Sequence, residues 1–197
     1  IYLIRSTDNE KVKALYERVC DIARGAAMMT QTEVEIVFDK ACSNILSNSV
    51  LEQLLYDSMV TVPQPKYTDE ELAFALEIKK TLKAQDLESD LSIGFMDNLR
   101  KKKNVKRLFA LPMADFVCDH AHMDVYVAGS SDVGDCSFCV PPAQFLAACA
   151  APGTPAHSWQ MVAQGRSGLA HKGMLYAADV MTNAAKKIID DMAAYQY

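Results

Sequence analysis

The stretch from Gly129 to Met174 decides how this chain is organised, and it reads GSSDVGDCSFCVPPAQFLAACAAPGTPAHSWQMVAQGRSGLAHKGM. It opens with a turn of glycine, serine and aspartate, which exposes backbone N–H groups able to hold a carboxylate or a phosphate. It then passes His157 and the only tryptophan before it reaches a long C-terminal helix. We therefore expect the chemistry of the chain here. An ordinary turn between strands and a packed surface loop around His157 are the alternatives.

A long helix is predicted from about Ser167 to Ala193, and it carries a histidine on its first turn. Apolar and small residues recur at the spacing of one helix face, and His171 is in phase with them: Met174, Leu175, Ala178, Met181, Ala185, Ile188 and Ile189. An imidazole on an apolar face needs a backbone carbonyl, a carboxylate or a metal as its partner. The pattern leaves two interpretations of His171 open, a packed core histidine and a ligand.

Segments with strand patterns alternate with helical ones, and this order predicts an α/β fold. Ile1–Arg5 has a β-like composition, a helix capped by Asp8 or Asn9 ends near Thr30, and Thr32–Asp39 alternates apolar and charged residues. This unit corresponds to half of a βαββαβ sandwich whose other strands and helix would precede residue 1. Further strands are predicted at Asp124–Ala128, Ser137–Val140 and Gln144–Ala150.

Two helices and a stiff connector are predicted in the middle of the chain. A short amphipathic helix around Leu54 is followed by Val62–Pro65, whose two prolines restrict the backbone. Thr68 and Glu71 then have the spacing of a capping box, which predicts that the second helix begins at this point.

Composition argues against several classes of protein. The formal net charge of −5 argues against nucleic-acid binding, and we interpret the one basic run, at residues 100–103, as a solvated face. No apolar run reaches the length of a membrane span, about 18 residues, and no secretion signal opens the chain. Six cysteines lie in apolar segments, which is typical of buried, reduced thiols. We expect a cytoplasmic protein that binds neither nucleic acid nor membranes.

Two cysteine-containing groups are candidates for separate chemistry. Cys136 and Cys139 form a C-x-x-C pair, but neither a helix N-terminus for redox chemistry nor a second pair for zinc is evident, and we interpret both as core thiols. Cys118, His120 and His122 are more densely spaced. In a strand the two histidines would share one face and offer two metal ligands. Because no third ligand lies nearby in sequence, this metal site is the less favoured interpretation.

Three segments together resemble the aminoacylase/carboxypeptidase G family of co-catalytic metallopeptidases. They are GSSDVGDCSFCVPPAQ, APGTPAHSWQMVAQGRSGLAHKGMLYAADVM and YERVCDIARGAAMMTQTEVE. The likeness covers most of the chain except roughly residues 84–104, and Gly129–Met174 is its most specific part. It implies a metal-dependent amidohydrolase that cleaves the amide between an acyl or aroyl group and an amino acid, as in p-aminobenzoyl-glutamate.

The resemblance also implies two domains. A three-layer α/β catalytic domain would hold two divalent metal ions, zinc or manganese, and an inserted βαββαβ lid would form a dimer interface. Residues 1–43 would be the C-terminal half of this lid, and residues 44–197 the C-terminal part of the catalytic domain. The implied partners are an acyl amino acid or dipeptide substrate, a second copy bound through the lid, and a second subunit.

The resemblance assigns site residues as well. His171 matches the last metal ligand, and Arg5 is a candidate for reading the substrate carboxylate. The turn that binds this carboxylate would consist of Gly129, Ser130 and Ser131, braced by Asp132. The general base and the other ligands would precede residue 1, so we expect this chain to be an inactive C-terminal fragment by itself. The alternative is a non-enzymatic dimerisation or regulatory module in which His171 is only packed.

Overall fold

The computed structural model describes residues 1–83, 106–120 and 131–191. Within these ranges the chain forms the helices α1 (Asn9–Thr30), α2 (Ser49–Thr61), α3 (Asp69–Lys80), α4 (Val133–Ser137), α5 (Trp159–Gln164) and α6 (Gly168–Asp190). Residues 106–110 are helical as well, and no strand occurs in the described ranges. None of these helices is both long enough and apolar enough to cross a bilayer.

The predicted α/β fold, with its lid remnant and its three-layer catalytic part, is therefore wrong for the described chain. A strand needs a neighbour that exchanges backbone hydrogen bonds with it. Ile1–Arg5, Thr32–Asp39 and Gln144–Ala150 have no such neighbour among the described residues, and none is a strand. The alternation in Thr32–Asp39 reports side-chain polarity, which fixes no pairing partner. The strand predicted at Asp124–Ala128 lies outside the described residues.

The strand predicted at Ser137–Val140 is replaced by a helical turn. The N–H groups of Cys139 and Val140 both donate to the carbonyl of Cys136, at 2.9 Å each. These bonds run along the chain and continue the turn of α4, so this segment does not pair with a neighbour. Short apolar runs do not by themselves distinguish a buried strand from a helical segment.

The helix ends agree with the predicted capping residues. Asp8 accepts a hydrogen bond from the N–H of Lys11 at the start of α1, and this helix ends at Thr30. Thr68 and Glu71 form both hydrogen bonds of a capping box at the start of α3. Side-chain oxygens at these positions satisfy N–H groups that have no acceptor within the helix. The sequence predicts these helix starts because a cap forms between residues that are close together in the chain.

The chain divides into two compact units, Ile1–Ser47 with Ala128–Pro142 and Asn48–Val127 with Ala143–Tyr197. In the first unit, α4 forms hydrogen bonds with the segment at residues 43–46. The N–H of Ser43 donates to Asp135 at 3.1 Å, and the N–H of Leu46 donates to Ser137 at 3.0 Å. A Cβ on Gly134 would collide with the carbonyl of Ser43. The predicted domain boundary after residue 43 stays a prediction.

In the second unit, α6 packs against α2 and α3. Its buried face combines three small residues with three larger ones: Leu169, Ala170, Gly173, Tyr176, Val180 and Ala184. The core cluster beside it contains Ala75, Met113, Ala151 and Leu169. The Tyr176 hydroxyl accepts from Gln64 and donates to the carbonyl of Met59, at 2.8 Å each. These two bonds join α6 to the end of α2 and to the proline connector.

The prediction that the apolar stripe of the last helix is buried is wrong. Met174, Leu175, Met181 and Ile189 are 58%, 59%, 55% and 71% exposed. α6 is apolar on two sides, and the pattern favoured the side with the larger side chains. The buried side includes Ala170, Gly173 and Ala184 among larger residues, and a small residue lets two backbones approach closely. A Cβ on Gly173, for example, would collide with the carbonyl of Ala148.

Replacing Gly173 with alanine is expected to lower the free energy of unfolding by about 1–3 kcal/mol, because overpacking shifts the backbone. The added Cβ would also lie 2.8 Å from the Cys149 sulfur. Gly25→Ala in α1 is the matched control, since no atom lies within 4 Å of its added Cβ. That change is expected to stabilise the protein by about 0.5–1 kcal/mol. Urea unfolding measures both, and equal stability of the Gly173 variant and the wild type would refute the close approach.

Candidate functional site

His171 lies on the first turn of α6, as predicted. Ser167 occupies the N-cap position, and its carbonyl accepts from the N–H of His171 at 3.1 Å. The imidazole is exposed, and among the described residues no hydrogen bond to it is present. His171 therefore does not fill the core of this structure, which leaves its ring available to a ligand.

An ion pair holds the turn of α6 that carries His171. Lys172 Nζ lies 2.5 Å from Glu71 Oε2, and their side chains are 32% and 18% exposed. The same oxygen of Glu71 accepts from the N–H of Thr68 at 2.8 Å. The hydrogen bond from Lys172, followed by the one from Thr68, holds the pKa of Glu71 below its usual value. One carboxylate thus caps α3 and anchors α6.

Tyr67 lies beside this ion pair and has a buried hydroxyl. The hydroxyl oxygen has no hydrogen-bond partner among the described residues, and Lys172 Nζ lies 5.8 Å from the ring centroid. Burial, with smaller effects from Cys149 and Glu71, raises the pKa of Tyr67 to about 12. The phenol is therefore held neutral next to the Glu71–Lys172 pair.

The loop before α5 is fixed by Gln164, which sequence reasoning missed. This fully buried side chain accepts from the N–H of Ala151 at 2.8 Å. Its amide nitrogen donates to Thr154 Oγ1 at 3.1 Å and to the carbonyl of Gln160 at 3.0 Å. These bonds tie α5 to residues 151–154. Nothing in the local sequence separates Gln164 from an exposed glutamine, because its partners are set by the fold.

The small polar turn is described only in part. Gly129 and Ser130 lie outside the described residues, whereas Ser131 and Asp132 are exposed at the start of α4. Ser131 Oγ accepts from the N–H of Val133 at 3.3 Å. Asp132 occupies the N-cap position and makes no capping bond with its side chain. Backbone bonds from the N–H of Gly134 to Ser131 and from the N–H of Cys136 to Asp132, at 3.3 Å each, also hold this part of the turn.

The predicted site residues fall in different units. Arg5, which is exposed, and the pair Ser131 and Asp132 belong to the first unit, and His171 belongs to the second. The substrate-binding role of Arg5, Ser131 and Asp132 stays a prediction, as does the ligand role of His171.

The cysteines do not match their predicted burial. Cys136 and Cys139, interpreted as core thiols, are exposed, and so are Cys42 and Cys118. Cys20 alone of the six is buried, and all six are free thiols. The error at Cys139 follows from the strand predicted at Ser137–Val140, since a strand there would have placed alternate side chains inward. In the helical turn of α4 both thiols lie at the surface instead.

The predicted site at Cys118, His120 and His122 is described only in part. His122 lies outside the described residues. The His120 ring lies 5.4 Å from the ring of Tyr56, at an interplanar angle of 30°, which is a packing contact.

The basic run at residues 100–103 also lies outside the described ranges. Its neighbour Arg107 pairs with Asp115 at 3.2 Å.

No complete set of metal ligands is found among the described residues. An exposed imidazole that makes no hydrogen bond to another described residue has the chemistry of a ligand for zinc or manganese, and His171 fits this description. Residues 1–83, 106–120 and 131–191 contain no group of three or more His, Cys, Asp or Glu arranged to hold an ion. A metal bound at His171 would take its other ligands from outside these ranges.

Tyr67 is expected to ionise at a higher pH than an ordinary tyrosine. Its pKa is about 12 when folded, compared with 10.0 for a free side chain. Between these values the folded state binds more protons than the unfolded state, so the free energy of unfolding falls as the pH rises. An alkaline titration followed by phenolate absorbance should show a late step that Tyr67→Phe removes. If the absorbance step that Tyr67→Phe removes lies near pH 10 instead, the Tyr67 hydroxyl is not buried as described.

Comparison with known proteins finds a hydrolase. The chain is 41% identical over all 197 residues to the B subunit of p-aminobenzoyl-glutamate hydrolase from Escherichia coli (strain K12). It spans 41% of the length of that protein. No protein-family model matches the chain, and no solved structure matches it. The chain is thus similar to a subunit of p-aminobenzoyl-glutamate hydrolase, in line with the resemblance that the three sequence segments carry.

Proposed function

We propose that this chain is part of a metal-dependent amidohydrolase that hydrolyses the amide between an aroyl or acyl group and an amino acid. The substrate class is p-aminobenzoyl-glutamate and similar acyl amino acids or dipeptides. The observation that carries this proposal is the 41% identity along the whole chain to a subunit of p-aminobenzoyl-glutamate hydrolase. The exposed imidazole of His171, at the start of a firmly anchored helix, supports it.

In this proposal His171 supplies one ligand to a pair of divalent metal ions, zinc or manganese. When bound, such ions polarise the scissile carbonyl and lower the pKa of a water molecule. The backbone N–H groups and hydroxyls of the small polar turn hold the free carboxylate of the substrate. This turn comprises Gly129, Ser130 and Ser131 with Asp132, and Arg5 is a further candidate for the same carboxylate.

The remaining ligands and the general base belong, in this proposal, to the part of the related hydrolase that the chain does not span. A metal site needs several ligands, and water activation needs a base as well. The chain by itself is therefore inactive. In this proposal the complete enzyme is cytoplasmic and forms a homo-oligomer. It also works with a second subunit, in line with the name of its relative, which is one subunit of a hydrolase.

In the complete polypeptide, His171→Ala is expected to lower bound metal and the hydrolysis of p-aminobenzoyl-glutamate together. Without this ligand the metal ions that stabilise the transition state are held more weakly, so kcat/KM should fall at least about a hundredfold. Metal content by elemental analysis and product release by chromatography are the two measurements.

His157→Ala is the matched control, because His157 is also an exposed histidine of the same unit. Its metal content and activity should match those of the wild type. A His171→Ala protein that keeps both its metal and its activity would remove His171 from the site. Wild-type protein that hydrolyses no acyl amino acid would refute the function itself.

A further inference from the structure

The first turn of α6 meets the start of α3 at two points. Lys172 pairs with Glu71 at 2.5 Å, and a Cβ on Gly168 would collide with the other oxygen of the same carboxylate. The two residues of the ion pair lie 101 positions apart in sequence. A single carboxylate therefore fixes both the position of this turn and the side chain next to His171.

The contacts of the neighbouring residues determine which way His171 faces. Consecutive residues are about 100° apart around an α-helix, because it has 3.6 residues per turn. Leu169, Ala170 and Gly173 are buried, and Lys172 is tied to Glu71. The remaining direction on this turn belongs to His171, whose side chain is exposed.

We propose that the Glu71–Lys172 ion pair is a positioning device for His171, which holds the imidazole in the orientation that binds metal. This inference rests on the proposed ligand role of His171. Neither residue of the pair is a catalytic residue, because both act through the rotation and position of the helix. Residues that orient a metal ligand change metal affinity about 10- to 100-fold when they are mutated.

The partners of Glu71 separate this role from a role in stability. Without Lys172, the carboxylate of Glu71 keeps its hydrogen bond from the N–H of Thr68, and it remains partly exposed to water. Such a group loses little when one partner is removed, as is usual for ion pairs near the surface. Loss of Lys172 should thus disturb the orientation of His171 more than it disturbs folding.

The experiment titrates the complete polypeptide with Co²⁺ alone, after removal of its metal, and records affinity and the visible absorption of the bound ion. Lys172→Met keeps the length and the apolar stem of the side chain and removes its charge. We expect Co²⁺ affinity to fall about tenfold or more, with a changed spectrum and thermal unfolding close to that of the wild type. Lys172→Arg, which keeps the charge beside Glu71, should restore the affinity.

The control is Lys186→Met, the same substitution at an exposed lysine of the same helix. It should change neither affinity nor spectrum. If Lys172→Met binds Co²⁺ as the wild type does, or only lowers thermal stability, the positioning role is refuted. His171→Ala distinguishes this failure from a failure of the proposed function, because unchanged Co²⁺ binding in that variant would refute the ligand role itself.

Discussion

The close approach of α6 to its neighbours is the constraint on which the second unit depends. Gly173 lies against the carbonyl of Ala148, and Gly168 lies against the carboxylate of Glu71. At both positions the space that a side chain would need is filled by another part of the chain. At these two positions the helix meets its neighbours through its backbone, and Met174, Leu175 and Met181 lie on its exposed side. This arrangement directs His171 outward as well.

The features that sequence predicted correctly are local. The caps at Asp8 and Thr68 depend on residues within three positions of each other, and side-chain oxygens at helix starts have few alternative uses. The start of α6 and the place of His171 on its first turn belong to the same class. The similarity to a known hydrolase was also found from contiguous segments, which need no knowledge of the fold.

The features that sequence missed depend on distant parts of the chain. The strand patterns in Thr32–Asp39 and Ser137–Val140 describe side-chain polarity, whereas a strand is defined by a partner elsewhere. The face of α6 was assigned wrongly because size was taken as a sign of burial, whereas three of the six residues on the buried face are glycine or alanine. The ion pair of Glu71 with Lys172 joins residues in two helices, so no spacing in the sequence predicts it.

The buried amide of Gln164 restricts its position by chemistry as well as by shape. Thr154 uses its own hydrogen to bond the carbonyl of Ala151, so it presents a lone pair to the Gln164 nitrogen, as the carbonyl of Gln160 also does. Glutamate is nearly isosteric with glutamine, yet an ionised carboxylate would face two acceptors and repel both. Methionine would fill the same space and leave the N–H of Ala151 without an acceptor. This junction between a loop and α5 is therefore polarised, with a donor and an acceptor that cannot be exchanged, and an amide side chain satisfies both.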